Sequence, residues 1–228
     1  MSLPEKGWQA AKARIAAAER AAGRASNTVA LLAVSKTFPA DALRAVHALG
    51  QRAFGENYVQ EAVAKRAALA DLPDIEWRLI GPLQSNKAKV AAETFDWVES
   101  VDRLRVAERL AAARPPERGP LNVLVQVNAS GEATKSGVAP ADAVALARDV
   151  SRLSGLTLRG IMGIPEPTGD PVRQRAEFAA LRACFEGCRD AGLAVDTLSM
   201  GMSADLEIAI AEGATEVRIG TAIFGARV

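Results

Sequence analysis

One lysine stands where its amine could act as a nucleophile. Lys36 follows residues 31–35, an apolar run typical of a buried strand, so it should lie half-buried at the end of that strand. Burial disfavours the charged ammonium, and a neutral amine can condense with an aldehyde to form a Schiff base. The plainer interpretation is a strand-end lysine whose side chain extends to solvent.

Two glycine-containing loops late in the chain could bind a phosphate group. Residues 199–203 contain Gly201 and Ser203, and residues 218–225 contain Gly220 and Thr221. Glycine lets a backbone approach a ligand closely, and the two hydroxyls can donate hydrogen bonds. Alternatively, these glycines only make turns.

Histidine and cysteine chemistry finds little support in the sequence. His47 is the only histidine and lies within a helical pattern at residues 41–49, away from the strand ends. Cys184 and Cys188 are four residues apart in another helical pattern, with no further ligand nearby to complete a metal site. We therefore expect two reduced structural thiols, no metal centre and no histidine-based triad.

Short β-branched or apolar runs alternate with longer alanine-rich helical segments. The predicted strands cover residues 29–35, 52–55, 76–80, 96–99, 122–128, 157–162, 197–200 and 216–219. The predicted helices between them cover residues 41–49, 59–70, 86–93, 103–113, 141–153, 173–191 and 204–212. This alternation predicts an α/β fold, a single (β/α)8 TIM barrel, in which the strand ends share one mouth. An open doubly wound sheet is the alternative.

Length and composition predict one globular domain, residues 1–228. The formal net charge is +1, and no stretch approaches the roughly 20 apolar residues that span a bilayer. We expect no nucleic acid or membrane partner. Residues 1–24 carry charges among alanines, so they predict an additional N-terminal helix packed on the barrel rather than a signal peptide, and a cytoplasmic location.

Several motifs together resemble the pyridoxal phosphate homeostasis protein family. They run in family order from about residue 30 to the C-terminus, and as a set they are highly specific. The matching blocks are residues 33–37, 54–61, 80–87, 127–128, 135–137, 158–162, 198–203 and 218–227. One departure is visible, because the family usually has histidine after the tryptophan where this chain has Arg78. No role is assigned to Arg78.

The resemblance implies a barrel similar to the N-terminal domain of alanine racemase, a fold type III-like arrangement without the C-terminal β domain. Pyridoxal 5′-phosphate (PLP) would be the cofactor, held at the barrel mouth as a reversible imine. The residues implied in its binding are Lys36 for the imine, Asn57 for the pocket with Met200 and Met162 as its neighbours, Ser203, Gly220 and Thr221 for the phosphate, and Arg218 for the pyridine nitrogen.

The expected function is cofactor homeostasis without robust turnover. A PLP ring is the best electron sink when a carboxylate partner protonates its nitrogen, which Arg218 cannot do. Racemisation also needs a second acid/base, and Tyr58 is a poor structural match for it. We expect no catalytic residues, a monomer, apo PLP-dependent enzymes as candidate recipients, and Lys135 as a candidate relay site. A PLP-dependent racemase or decarboxylase and a cofactor-free Schiff-base aldolase remain as alternatives.

Overall fold

The computed structural model describes residues 2–132, 135–166, 168 and 170–225. Within them, parallel strands close into a barrel in chain order, each hydrogen-bonded to the next and the last to the first. The strands are β1 (Ala30–Val34), β2 (Ala53–Glu56), β3 (Glu76–Leu79), β4 (Trp97–Val101), β5 (Leu121–Val127), β6 (Leu156–Gly163), β7 (Thr197–Ser199) and β8 (Glu216–Ile219). The predicted TIM barrel is confirmed, and the open sheet is wrong.

Helices cover the outside of the barrel; the first precedes β1, and the others come after strands. They are α1 (Leu3–Ala21), α2 (Ala40–His47), α3 (Val59–Ala68), α4 (Ala88–Thr94), α5 (Leu104–Ala113), α6 (Ala143–Ser151), α7 (Pro171–Asp190), α8 (Leu206–Ala211) and α9 (Thr221–Phe224). Short 3₁₀ turns at Ser85–Lys87 and Pro140–Asp142 lead into α4 and α6, and a third lies at Pro116–Arg118. The helix predicted for residues 204–212 is shorter, and α9 was not predicted.

Alternation along the strands divides their side chains between two environments. Residues such as Phe54, Val98 and Leu198 join the main core between the barrel and its helices. Trp97, Leu124 and Met162 form a small separate cluster of buried residues, each on a strand of the barrel. Glycines with positive φ follow the ends of α2, α6, α7 and α8, at Gly50, Gly155, Gly192 and Gly213.

The N-terminal helix α1 packs against α8 and α9, beside the place where β8 meets β1. Ala11, Ile15 and Ala18 bury its inner face. A Cβ added at Gly7 would lie 2.4 Å from the carbonyl oxygen of Ala222, so only glycine permits this approach to α9. No helix in the described part of the chain is long and apolar enough to cross a bilayer. Met1 and Ala226–Val228, at the ends of the predicted domain, lie outside the described residues.

Candidate functional site

A cavity of about 260 Å³ opens at the carboxyl ends of the strands, between β1 and β8. Strand ends of a parallel barrel converge on one mouth, which is why residues far apart in sequence meet here. The lining residues are Val34, Lys36, Asn57, Ile80, Ile164, Met202, Ser203, Ala204, Arg218, Gly220 and Thr221.

Most of the residues predicted from the sequence line this cavity. Lys36, Asn57, Ser203, Arg218, Gly220 and Thr221 are all at its wall. Two of the predicted residues, both methionines, do not line the cavity. Met200 is fully buried in the main core and Met162 packs inside the barrel, so neither belongs to the lining.

Met202 lies at the cavity wall in the loop that also holds Met200. The backbone amide of Met200 still donates to the carbonyl of Glu216, as a further residue of β7 would. Gly201 then turns the chain with φ +94°, and Met202 emerges on the other side of that turn. A left-handed conformation of this kind is natural for glycine and strained for other residues.

The backbone on both sides of Lys36 is held by a buried ion-pair cluster. Lys65, on α3, donates to the carbonyl oxygen of Ser35 and to a carboxylate oxygen of Glu56, both at 2.7 Å. Its Nζ atom also lies 2.7 Å from Glu61. Glu61 in turn accepts a hydrogen bond from the amide of Thr37, at 2.5 Å.

Thr37 has φ +70°, which is uncommon for a β-branched residue. The hydrogen bond from its amide to Glu61 helps to hold this conformation, and the cluster therefore defines where the chain leaves β1. Burial raises the pKa of the Glu56 carboxyl, while Lys65 opposes that rise. Because Glu56 is fully buried, its charge depends on the Lys65 partner.

Two loops form the opposite side of the cavity and offer small polar groups. A Cβ at Gly220 would lie 3.1 Å from the carbonyl oxygen of Val34, so β8 and β1 approach closely here. Within the described part of the chain, no residue hydrogen-bonds the hydroxyls of Ser203 and Thr221. Both hydroxyls are therefore available to an anion in the cavity.

The loop that carries Ser203 is anchored from two directions. Arg14, on α1, donates to the Ser203 carbonyl at 2.9 Å and makes a two-point contact with Glu207, also at 2.9 Å. The amide of Met202 donates to Asp205 at 2.6 Å. The N-terminal helix thus helps to fix a loop of the site.

Arg218 reaches the cavity from inside the barrel. Its guanidinium donates to Ser199 Oγ and to the carbonyl of Gly163, both at 2.7 Å. Burial lowers the pKa of Arg218, whereas the carboxylates of Glu99 and Glu216 oppose this change. A guanidinium has five N–H donors and no acceptor, so the N–H groups of Arg218 that these two bonds do not use can donate to a ligand.

A second cavity, of about 220 Å³, adjoins the first. Asn57, Ile80 and Ile164 line both, and the second also includes Lys135 and Asn128. Lys135 Nζ lies 3.3 Å from a carboxylate oxygen of Glu132. Lys135, the predicted relay lysine, therefore lines the second cavity and not the first. Tyr58 is 60% exposed and lines a third cavity, with Asn57 at the boundary.

The donor set matches what PLP requires. An amine, two hydroxyls beside a close backbone approach, and a guanidinium face one cavity, with Val34, Ile80 and Ile164 as apolar walls. Sequence reasoning missed these apolar residues and Met202, because nothing in their type marks them. Among the described residues, no group of three or more acidic, histidine or cysteine side chains could hold a metal ion.

Comparison with known proteins agrees with this site. The barrel is of the alanine racemase N-terminal domain class, whose family model matches residues 9–228. The pyridoxal phosphate homeostasis protein of Pseudomonas aeruginosa is 61% identical over 215 residues, 94% of this chain and 92% of that protein. The Escherichia coli protein of the same name is 50% identical over 216 residues, with the same coverage. The chain belongs to the pyridoxal phosphate homeostasis protein family.

A solved structure gives the same fold. PipY of Synechococcus elongatus, with PLP bound, superposes with a TM-score of 0.80 at 43% identity, covering 92% of this chain and all of that one.

Proposed function

We propose that this chain binds PLP through a Schiff base to Lys36 and serves intracellular homeostasis of that cofactor. One observation carries the proposal. Lys36, at the end of β1, and the polar groups of the two loops after β7 and β8 line the same cavity. Family membership and the PLP-bound PipY structure support the choice of cofactor.

The proposal assigns a role to most of the lining groups. Ser203, Thr221 and the backbone at Gly220 hold the phosphate, and Arg218 faces the pyridine nitrogen. Asn57 and the apolar residues Ile80 and Ile164 enclose the ring. Met200, buried behind the loop, would act only by supporting it.

PLP supplies an aldehyde, and the amine of Lys36 supplies the nucleophile. The neutral amine of Lys36 would condense with that aldehyde to form the Schiff base, and its two hydrogens would leave with the carbonyl oxygen as water. Hydrolysis of the imine would return free PLP, whereas exchange with a second amine would pass the aldehyde to that amine and restore the amine of Lys36. Lys135, in the adjoining cavity, is a candidate for that second amine.

The same lining favours a carrier over an efficient enzyme. Arg218 can donate to the ring nitrogen but cannot protonate it as a carboxylic acid would. Among the described lining residues, only Lys36 and Arg218 are ionisable, so no second acid/base is at hand for two-base racemisation. Tyr58 lines another cavity.

The same proposal includes a wider role. Residues 1–228 act as one alanine-racemase-like domain and as a monomer in the cytoplasm. Apo PLP-dependent enzymes are the recipients of the cofactor.

Absorbance of the purified protein tests the cofactor assignment. Adding PLP should produce the visible band of a Schiff base, and Lys36→Ala should lose it. Lys89→Ala is the matched control because its side chain is 78% exposed on α4. A wild-type protein that shows no such band once unbound PLP has been removed would contradict the proposal and favour a cofactor-free aldolase.

Turnover separates the carrier from a PLP-dependent enzyme. Incubation with a panel of L- and D-amino acids should give slow or no conversion. Many rapid turnovers with any of them would show a racemase or decarboxylase instead.

A further inference from the structure

Two glutamates lie together inside the barrel below the proposed cofactor site. Glu99, on β4, is 0% exposed and Glu216, on β8, is 2% exposed. Both contact the hydroxyl of Ser199, Glu99 at 2.7 Å and Glu216 at 2.9 Å. The same hydroxyl accepts a hydrogen bond from Arg218 at 2.7 Å. Ser199 therefore links the two carboxyl groups to the arginine that lines the cavity.

The hydrogen-bond count at Ser199 favours a proton on this pair. A serine hydroxyl has one proton to donate and two lone pairs to accept with. Arg218 occupies one lone pair, and the single proton serves one carboxylate. The other carboxyl can bond the hydroxyl only as a donor, that is, as a carboxylic acid.

Arg78 contacts the same two carboxyl groups. Arg78 donates to Glu216 at 2.5 Å and to Glu76 at 2.7 Å, and lies 3.5 Å from Glu99. Glu76 is partly exposed, so within the barrel Arg78 serves mainly the carboxyl groups of Glu99 and Glu216.

The other charges near the pair are already engaged. Arg159, on β6, pairs with Asp196 at 2.5 Å, and its guanidinium lies over Trp97, as that of Arg78 does. Asp205 acts electrostatically on Arg218, and Lys36 shares the upper cavity with it. Burial and then repulsion by Glu99 raise the pKa of Glu216, which accords with a retained proton.

We propose that Glu99 and Glu216 share one proton and, through Ser199, act as positioning residues that keep Arg218 aimed at the cofactor cavity. Loss of the proton leaves two carboxylates competing for one hydroxyl. The nearby guanidinium of Arg218 is then drawn toward them and away from the cavity. Retention of the cofactor should fall as that proton is lost. This last step rests on the proposed function, whereas the shared proton does not.

Carbon-13 NMR of glutamate carboxyl groups tests the shared proton without any cofactor. In apo wild-type protein, one glutamate carbon should titrate near pH 8, and its signal should be lost or displaced in both E99Q and E216Q. E108Q, exposed on α5, should leave it unchanged. If every glutamate carbon of the wild type titrates at or below about pH 5, as ordinary glutamates do, the proposal is overturned.

Release of bound PLP into a trapping enzyme tests the positioning role. Wild-type protein should release the cofactor roughly tenfold faster above the titration midpoint of the glutamate pair than below it. A factor of this size corresponds to the loss of one hydrogen bond to a charged group. E216Q keeps a neutral group in place and should lose that step, while E108Q should retain it. E99Q provides the same test if E216Q does not fold. A pH step that persists in the glutamine variants would contradict the positioning role.

The two failures are distinguishable. A protein that binds no PLP at any pH contradicts the proposed function, while the carboxyl titration still decides the shared proton.

Discussion

Lys65 donates a 2.7 Å hydrogen bond to the carbonyl oxygen of Ser35, the residue directly before Lys36. The contact joins α3 to the end of β1 and belongs to a cluster with Glu56 and Glu61. A buried charge pair thus supports the backbone that presents the reactive lysine. This arrangement gives predictions for both stability and covalent attachment.

Lys65→Met should destabilise the protein strongly, because Glu56 would lose its partner while remaining fully buried. Removing one member of a buried pair costs about 3–5 kcal/mol. Urea denaturation of the apo protein measures this. Lys89→Met, which removes an exposed pair with Glu93, should cost less than about 1 kcal/mol. Equal effects of the two substitutions would contradict the importance of the buried cluster.

Replacing both partners, Lys65→Met with Glu56→Leu, should recover part of the loss, since no buried charge is then left unpaired. The same double variant should still attach PLP more slowly than wild type, because Thr37 loses part of its support. The rate at which the Schiff-base absorbance grows measures this. Recovery of stability without any change in that rate would show that the cluster stabilises the fold only.

Ser203→Ala should weaken cofactor retention by one hydrogen bond. A bond to a charged group contributes about 1.5–3 kcal/mol, so the Kd for PLP should rise roughly 10- to 150-fold. Thr221→Val should behave similarly. Ser151→Ala, on the exposed end of α6, should leave the Kd unchanged. If neither loop variant alters retention, the phosphate is bound elsewhere.

Arg14→Met should weaken PLP binding although Arg14 does not line the cavity. The residue holds the Ser203 carbonyl and Glu207, so its loss frees the loop. A smaller rise in Kd than for Ser203→Ala is expected, measured by absorbance titration. Arg20→Met, exposed near the end of the same helix, is the control. Unchanged affinity in Arg14→Met would limit α1 to a structural role.

Protonation of the buried glutamates should make stability depend on pH. Folding raises the pKa of Glu216 from 4.5 to about 8, so the native state binds this proton more tightly than the unfolded state. Its stabilising contribution is complete below pH 4.5 and declines as the pH rises to 8.

From pH 5 to 8, the free energy of unfolding of the wild type should therefore fall relative to that of E216Q. The slope is at most about 1.4 kcal/mol per pH unit. Urea denaturation at four pH values measures it. A constant difference between the two proteins across that range would contradict a raised pKa.

Much of this site could be predicted from sequence because a barrel gathers strand ends at one mouth. Lys36, Asn57 and Thr221 each follow a strand, and their position alone placed them near one another. Recognising the strands was therefore enough to assemble most of the cavity.

Other features depend on details that only the folded chain supplies. Met200 and Met202 lie on either side of Gly201, and the left-handed turn at that glycine is what brings Met202 and not Met200 to the cavity. The pairing of Glu99 with Glu216 joins residues 117 positions apart through the closure of the barrel. The sequence shows that Glu99 and Glu216 lie within predicted strands, but it does not show the strand register that brings the two side chains together.

Borohydride reduction of the PLP-loaded protein followed by peptide mapping tests the central claim most directly, since it converts the Schiff base into a stable bond. We predict that the mass increase is found on the peptide containing Lys36, in nearly stoichiometric amount, and is lost in Lys36→Ala. A principal adduct on Lys135, or on any other lysine, would contradict the account.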